Sequence, residues 1–378
     1  MKACSTNKII TLTILCCTGL LFSTVLHAKQ LHFKKQVKAG HIEYYYTFTT
    51  ASGSHHKIHF SLDREQSEIS KSLFTKTKKH RLNQRAKQKA EELFNTLQVE
   101  YIEQARDEFD AYISEQASRL PAGIIIESQN KGKNIRAKSD GSMPKARAES
   151  IIDDFLASMK TKWQSLNQQY LDAFKVDVAK RTQDHYVDTY KREYYVASFA
   201  SDDARSYNLR IDFGQIAELH ARAMKPVSDA VAANTRGMSR REVMNYAAHF
   251  IQSIPYDTLN SRDANGEIGF VAPLTLFDIN KGDCDTKSTA LAAILHNLYP
   301  DLDIKMVLIP NHAFLAIGFE GEPDDTVILY YDDEYVVVEA AGPALTPIGE
   351  SYEASLKHMQ ANPDKIGRII PLLDNKPG

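Results

Sequence analysis

Two long series of apolar residues at helical spacing place the strongest constraint on the fold. One lies in a highly charged segment from about Ser72 to Leu120, and the other runs from Pro144 to about Arg181, with Ser142 as a candidate N-cap. The apolar positions are Leu82, Ala86, Ala90, Leu93, Leu97, Tyr101, Ala105, Phe109 and Ile113 in the first, and Ile152, Phe155, Met159, Trp163, Leu166, Tyr170, Phe174 and Val178 in the second. Steps of three and four residues predict two long amphipathic helices. These form either an antiparallel pair packed on a small sheet or a projecting hairpin that binds a protein partner.

Short segments with β patterns lie around these two helices. Residues 40–62 contain two alternating blocks, HIEYYYTFTT and HHKIHFSL, and the Ser-Gly-Ser between them predicts a hairpin. The apolar run GIIIES (123–128), followed by the turn-rich QNKGKN, predicts a second hairpin. We therefore expect residues 29–205 to form a mainly helical region with small β-hairpins.

The N-terminus has the pattern of a secretory signal peptide. Lys2 and Lys8 give a positive start, an almost unbroken apolar run extends from Ile9 to Leu26, and Ala28 is a suitable residue for cleavage. Residues 1–28 are therefore predicted to be removed on export, which makes the protein periplasmic or secreted. The alternative is an uncleaved membrane anchor, because the apolar run approaches the length that spans a bilayer.

Removal of this leader would leave a single cysteine. Cys4, Cys16 and Cys17 lie within it, so only Cys284 would remain and no internal disulfide could form. The core must then stabilise the protein, and the chain is long enough for that. A lone thiol in an oxidising compartment is either buried and inert or used in chemistry.

The residues around Cys284 favour a reactive thiol. Gly282 and Asp283 are turn and cap residues, and residues 288–298 are strongly helical, so Cys284 is predicted at a helix N-terminus. The dipole and the free backbone N–H groups at that end favour the thiolate, which is the nucleophilic form. The flanking Asp283 and Asp285 oppose the thiolate, unless their side chains cap the helix and point away from the sulfur.

A histidine and a glutamate follow at positions from which they could meet this thiol. His312 begins the apolar strand NHAFLAIG (311–318), and Glu339 is the only charged residue in the apolar strand YVVVEAAGP (335–343). A buried carboxylate is costly unless it is paired, and a hydrogen bond to His312 would pair it. Cys284, His312 and Glu339 would then be a nucleophile, a base and an orienting acid, which is the catalytic triad of acyl-transfer enzymes.

Other chemistries have less support in the sequence. The net charge of −2, with 25 % charged residues, argues against nucleic acid as a partner. The histidines lack metal-ligand spacing such as H-x-x-x-H, so no metal or organic cofactor is expected, although the acidic turn at 320–326 leaves weak calcium binding open. We interpret Asp332 and Asp333 as hairpin-turn residues.

Residues 207–345 resemble the bacterial transglutaminase-like superfamily, a branch of the papain-like cysteine enzymes. The matching segments are FIQSIPYD (250–257), GDCDTKSTALAAIL (282–295), NHAFLAIG (311–318) and YVVVEAAGP (335–343). The resemblance implies that residues 206–378 form an α+β domain in which a cysteine-bearing helix packs on an antiparallel sheet. It also implies that Cys284 is the nucleophile, His312 the general base and acid, and Glu339 the orienting acid, where many relatives have aspartate. The backbone N–H of Cys284 and the hydroxyl of Tyr256 are our candidates for the oxyanion hole.

Two functions from different classes remain open at this stage. The first is an exported cysteine peptidase or amidase that cuts an amide bond of a peptide or cell-envelope protein through a thioester acyl-enzyme. Hydrolysis is favoured over transfer to an amine because it needs no second substrate site. The second is a catalytically inactive binding or scaffold module of the cell envelope, for which the large helical region is the argument.

Overall fold

The computed structural model describes residues 29–201, 206–258, 269–362 and 365–373. The described chain is mixed α+β with antiparallel sheets, which confirms that part of the predicted fold class. The predicted signal peptide (1–28) and the predicted domain boundary at 205/206 lie outside the described residues. Within the described ranges, no helix is both long enough and apolar enough to cross a membrane.

The first sheet has three antiparallel strands in the order β1-β2-β3. The strands are β1 (Gln30–Val37), β2 (His41–Thr49) and β3 (His55–Asp63), and helix α1 (Arg64–Ser72) follows directly. Strands β2 and β3 are the hairpin that the sequence predicts for residues 40–62, whereas β1 was not predicted. Alternation along β2 places Tyr44, Tyr46 and Phe48 on one buried face.

The two long helices are present and pack against each other as an antiparallel pair. The segment runs through α2 (Lys76–Ser118), the hairpin strands β4 (Ile124–Gln129) and β5 (Asn134–Ser139), and α3 (Lys145–Lys191). Both helices and the second hairpin were predicted, but α3 continues well beyond Arg181. The predicted N-cap at Ser142 is wrong, because Ser142 lies in a turn held by the Asp140 carboxylate and Pro144 occupies the cap position.

The α2–α3 pair, which we call the arm, is packed differently at its two ends. At the base, Leu82 and Ala86 of α2 join Tyr186 and Tyr190 of α3 in the main core of the protein. At the tip, a separate apolar cluster forms against the β4–β5 hairpin, with Phe109, Ile113, Phe155, Met159 and Leu166 buried. Helix α2 has 43 residues, so it is about 65 Å long and outgrows the main core. The arm is therefore packed at its base and projects at its tip.

The remaining elements form a separate two-stranded hairpin (β6 and β7), a second, larger sheet and the helices around it. They are β6 (Tyr195–Phe199), β7 (Tyr207–Ile211), α4 (Phe213–Asn234), α5 (Arg240–Ser253), α6 (Pro273–Ile279), α7 (Cys284–Leu298), β8 (Ile304–Ile309), β9 (His312–Ile317), β10 (Val327–Tyr330), β11 (Asp333–Val338), α8 (Glu353–Ala361) and β12 (Arg368–Leu373). The five-stranded antiparallel sheet has the order β10-β11-β9-β8-β12. Helix α5 begins at a capping box, in which the side chains of Ser239 and Glu242 each bond the backbone N–H of the other residue.

Helix α7 is the central element of the main core. Residues 290–295 of this helix have no exposed surface, and they pack with apolar residues from one face of the five-stranded sheet. The opposite face of the sheet is covered by α8 through Met359. The first sheet packs into the same core, since the rings of Phe60 and Phe277 are 5.1 Å apart and those of Tyr46 and Phe250 are 5.2 Å apart. Residues before position 202 and after position 205 thus share one core.

Candidate active site

Cys284 is the first residue of α7, at the predicted helix start, and is half-buried. Asp283 is the N-cap, and its carboxylate accepts a hydrogen bond from the backbone N–H of Thr286 at 3.2 Å. The Asp285 carboxylate accepts from the same N–H at 2.8 Å. Both aspartates therefore cap the helix, and the positive end of the helix dipole lies at the sulfur.

The two aspartates also interact with each other. Burial raises the pKa of the Asp285 carboxyl well above its usual range, and the negative charges of Asp283 and Cys284 raise it further. A hydrogen bond between the two carboxyl groups favours a proton on Asp285. Once protonated, Asp285 no longer places a negative charge beside the thiolate, which weakens the electrostatic objection to a reactive Cys284.

His312 and Glu339 lie on neighbouring strands and are joined by a hydrogen bond. His312 is the first residue of β9, and Glu339 directly follows the last residue of β11. Nε2 of His312 is 2.7 Å from a carboxylate oxygen of Glu339, which has no exposed surface. The second carboxylate oxygen accepts from the hydroxyl of Ser351 at 2.8 Å and from the backbone N–H of Tyr352 at 3.3 Å. The pairing expected for this buried carboxylate is present, and two further donors complete it.

The imidazole of His312 connects this acid to the thiol. Burial alone would lower the pKa of His312, but hydrogen bonding with Cys284 and Glu339 raises it to about 9. Since Nε2 faces Glu339, the other ring nitrogen, Nδ1, is left for the sulfur. The ring of Tyr352 packs on the imidazole with a centroid distance of 5.6 Å. Cys284, His312 and Glu339 thus form one continuous chain of polar contacts.

Tyr256 lies beside the same thiol. The segment that carries it pairs with the residues before α7, because Gly282 donates to the carbonyl of Pro255 at 3.2 Å and accepts from the N–H of Asp257 at 3.0 Å. Burial raises the pKa of the Tyr256 hydroxyl, and the charge of Cys284 and a hydrogen bond to its side chain raise it further. Tyr256 is therefore a protonated hydrogen-bond donor next to the sulfur, in the vicinity where the sequence analysis places an oxyanion donor.

Lys287 is a residue of this site that the sequence analysis missed. It lies one turn after Cys284 on α7, it has no exposed surface, and burial lowers its pKa to about 7. Its Nζ donates to the carbonyls of Ile254 and Ala341, which lie just before Tyr256 and just after Glu339. The sequence offers one signal for it, which is a lysine three residues after Cys284 at the start of an apolar run. Lys287 therefore ties together the two backbone segments that position Tyr256 and Glu339.

The chain beyond Glu339 is held close to α5. Gly342 has a φ of +65°, and a Cβ at this position would lie 2.2 Å from the carbonyl oxygen of Gln252. The buried side chain of Gln252 donates to the carbonyls of Glu339 at 2.7 Å and Thr346 at 2.8 Å. Glycine is thus required at position 342, and α5 fixes where the Glu339 segment leaves the sheet.

The described residues contain no group of three or more His, Cys, Asp or Glu side chains arranged to hold a metal ion. Comparison of the chain with protein-family models, with curated proteins and with solved structures found no match.

Proposed function

We propose that the protein is a cysteine peptidase or amidase of the transglutaminase-like type, exported to the cell envelope. The observation that carries this proposal is the contact chain from Cys284 through His312 to the fully buried Glu339. A helix that starts at the thiol and packs on an antiparallel sheet bearing the histidine and the acid is also the arrangement that the family resemblance implies. A buried, hydrogen-bonded carboxylate that has no role would be an expensive feature to keep beside a thiol.

The proposed reaction begins with attack of the Cys284 thiolate on the carbonyl carbon of an amide. The backbone N–H of Cys284 and the hydroxyl of Tyr256 would donate to the developing oxyanion. His312, held protonated by Glu339, gives its proton to the leaving amine as the C–N bond breaks, which leaves a thioester on Cys284. His312 then takes a proton from water as the water attacks the thioester, and an acid is released with regeneration of the thiolate.

The proposed substrate is a peptide or a protein of the cell envelope. An amine in place of water would resolve the same thioester by transamidation, so both outcomes share one acyl-enzyme. Hydrolysis is the simpler proposal, since water needs no binding site of its own.

The proposal is tested by incubating the purified protein with a cell-envelope protein fraction and identifying new N-termini by mass spectrometry. We expect new termini with the unaltered protein and none with Cys284→Ala or His312→Ala. The matched control is His55→Ala, because His55 is an exposed residue of β3 and lies outside the site. If the unaltered, folded protein releases no termini and forms no acyl adduct with added amines, the protein is an inactive binding module and the proposal is wrong.

A further inference from the structure

The tip of the arm contains a cavity that the proposed chemistry does not use. It has a volume of about 370 Å³ and lies between α2, α3 and the turn that joins β4 to β5. Its aromatic wall consists of Phe109 and Trp163, whose rings are 5.1 Å apart. The charged residues that line it are Arg106, Lys131, Lys133 and Lys160, and within the described chain no carboxylate lines it. The cavity is therefore both aromatic and cationic.

The β4–β5 turn is built to lie close to α2 at this cavity. Gly132 has a φ of +75°, and a Cβ there would lie 2.6 to 2.8 Å from side-chain atoms of Phe109 and Ile113. Lys131 is anchored by the carboxylates of Glu103 at 2.8 Å and Asp107 at 2.7 Å. The turn is thus fixed on the helix, and it holds Lys133 at the rim of the cavity.

Three of the four cations remain available to a ligand. The charge of Lys131 is balanced by its two acidic partners, whereas Arg106, Lys133 and Lys160 have no ion pair within the ranges that the structure describes. Nε of Arg106 is a buried donor without a hydrogen-bond partner there. A buried donor without an acceptor is costly, and a carboxylate would satisfy it with a charge-assisted hydrogen bond.

A second cavity continues from the first toward the base of the arm. The two share Arg106 and Trp163, and the second has a volume of about 270 Å³. It is lined mainly by apolar and aromatic residues, among them Ile102 and Leu171, which are 45 % and 42 % exposed. We call the two cavities together the arm groove. One end of the arm groove is cationic and the other is apolar.

We propose that the arm groove binds a peptide segment of a partner protein in which acidic and apolar side chains lie close together. The acidic side chains would accept hydrogen bonds from Arg106, Lys133 and Lys160, and the apolar side chains would occupy the second cavity beside Leu171. Two adjoining cavities of these sizes suit single side chains of a peptide. Because one cavity is cationic and the other is apolar, the peptide binds with its chain in one direction along the groove. This proposal does not depend on catalysis by Cys284.

The only tryptophan of the chain, Trp163, lies in both cavities and reports binding directly. The full-length Cys284→Ala protein would be titrated with a synthetic peptide of alternating Glu and Leu, while Trp163 emission is followed. We expect a saturable change that weakens at high salt, and an affinity at least roughly tenfold lower for the same peptide with Gln in place of Glu. Lys133→Gln and Lys160→Gln should each weaken binding by a factor of roughly two to five.

The matched control is Lys175→Gln, because Lys175 is an exposed lysine of α3 that lines neither cavity and pairs with Asp172. It should bind the Glu–Leu peptide like the parent protein, and circular dichroism should show all variants equally helical. Equal affinity for the Gln peptide, equal weakening by Lys175→Gln, or no change in Trp163 emission would each overturn the proposal. So would a response to anionic phospholipid vesicles in the absence of any response to the peptide.

Discussion

Glu339 has no exposed surface, and its two carboxylate oxygens accept hydrogen bonds from His312, Ser351 and the backbone of Tyr352. The last two donors restrain the carboxylate without supplying charge. The positive charge that balances it must therefore come from the imidazolium of His312. Burial alone would lower the pKa of His312, but hydrogen bonds to Cys284 and to Glu339, together with the negative charges of both groups, raise it.

His312 should give the protein a pH-dependent stability. Its pKa is raised from 6.5 to about 9 in the folded protein, so its stabilising effect is fully present below pH 6.5 and is lost as the pH rises through 9. We expect the difference in melting temperature between the unaltered protein and His312→Gln to be largest near pH 6 and to shrink by pH 10. Thermal unfolding of both proteins from pH 6 to pH 10 measures this difference in melting temperature.

Glu339→Gln and His55→Gln serve as comparisons for this pH dependence. Glu339→Gln removes the negative charge beside the imidazole, so the pH dependence should move toward 6.5. His55→Gln changes an exposed histidine outside the site and should leave the profile as it is. A stability difference for His312→Gln that stays constant from pH 6 to pH 10 would contradict a raised pKa for His312.

For single residues, local signals in the sequence were enough to select Cys284, His312 and Glu339 as candidates. Cys284 follows a cap, His312 begins a strand, and Glu339 is a lone charge in an apolar run, and each of these features can be seen within a few positions. The role of Lys287 cannot be seen in this way. Its two acceptors, Ile254 and Ala341, are 33 and 54 positions away, and they become its neighbours only when α5, α7 and β11 pack together.

Lys287 is also what connects elements across the site, since one amine on α7 joins the segment after α5 to the segment after β11. The connection does not require a charge. A lysine that loses its proton keeps two N–H donors, one for each carbonyl, so burial can lower the pKa to about 7 without breaking the link. The segment after α5 and the segment after β11 are thereby held in register around Cys284.

Lys287→Met should disorganise the site more than it unfolds the protein. Each buried carbonyl that loses its donor costs about 1–3 kcal/mol, which lowers the melting temperature but leaves a folded protein. Because Tyr256 and Glu339 lose their shared anchor, the iodoacetamide reaction of Cys284 should slow on the order of tenfold or more. The rate of alkylation, followed by mass spectrometry, measures this effect.

Lys305→Met is the matched control for removing a buried amine. Lys305 lies on β8, is also buried and pairs with Asp303 at 2.7 Å. Its amine lies by the ring of Tyr335, which belongs to the cluster on the sheet face opposite α7. This variant should lose stability while its Cys284 reacts at the normal rate. If both variants slow alkylation equally, Lys287 has no particular role in positioning the site.

Among the elements, periodic patterns were the most informative. The stripes of α2 and α3 repeat over many turns, so their existence was predictable. The true end of α3 at Lys191 was missed because Tyr186 and Tyr190 are buried by the main core, which is a tertiary effect. Strand β1 was missed because it is an edge strand with no fully buried residue, so its sequence lacks a clear alternation.

For the whole molecule, the shared core determines which parts of the chain can be removed. The aromatic residues of the first sheet pack on α5 and α6, and Tyr46 and Phe60 contact both Phe250 and Phe277. Loss of each large aromatic side chain from a core costs about 3–5 kcal/mol, and a whole domain has only about 5–15 kcal/mol of stability. The sheet is thus indispensable to the part of the chain that carries Cys284.

A chain that begins near Arg205 should therefore aggregate or remain unfolded, whereas a chain shortened in the arm should fold. Replacing residues 98–170 with a short linker removes the separate tip cluster but keeps Leu82, Ala86, Tyr186 and Tyr190 in the main core. We expect this shortened protein to melt cooperatively and to have its Cys284 alkylated at the same rate as in the unaltered protein. A cooperative melt for the chain beginning near Arg205 would show that the first sheet is dispensable.

The projection of the arm has a consequence for any ligand that engages both ends of the protein. From Ala86 at the base to Phe109 at the tip the helix rises roughly 35 Å, so an extended chain needs at least about ten residues to bridge that interval. If the arm groove and Cys284 act as proposed above, a substrate bound at the tip would meet the thiol at a raised effective concentration. Cutting between the two points would convert a bivalent ligand into two monovalent fragments. Each fragment would then be bound at one point only, so it would dissociate more readily than the intact ligand.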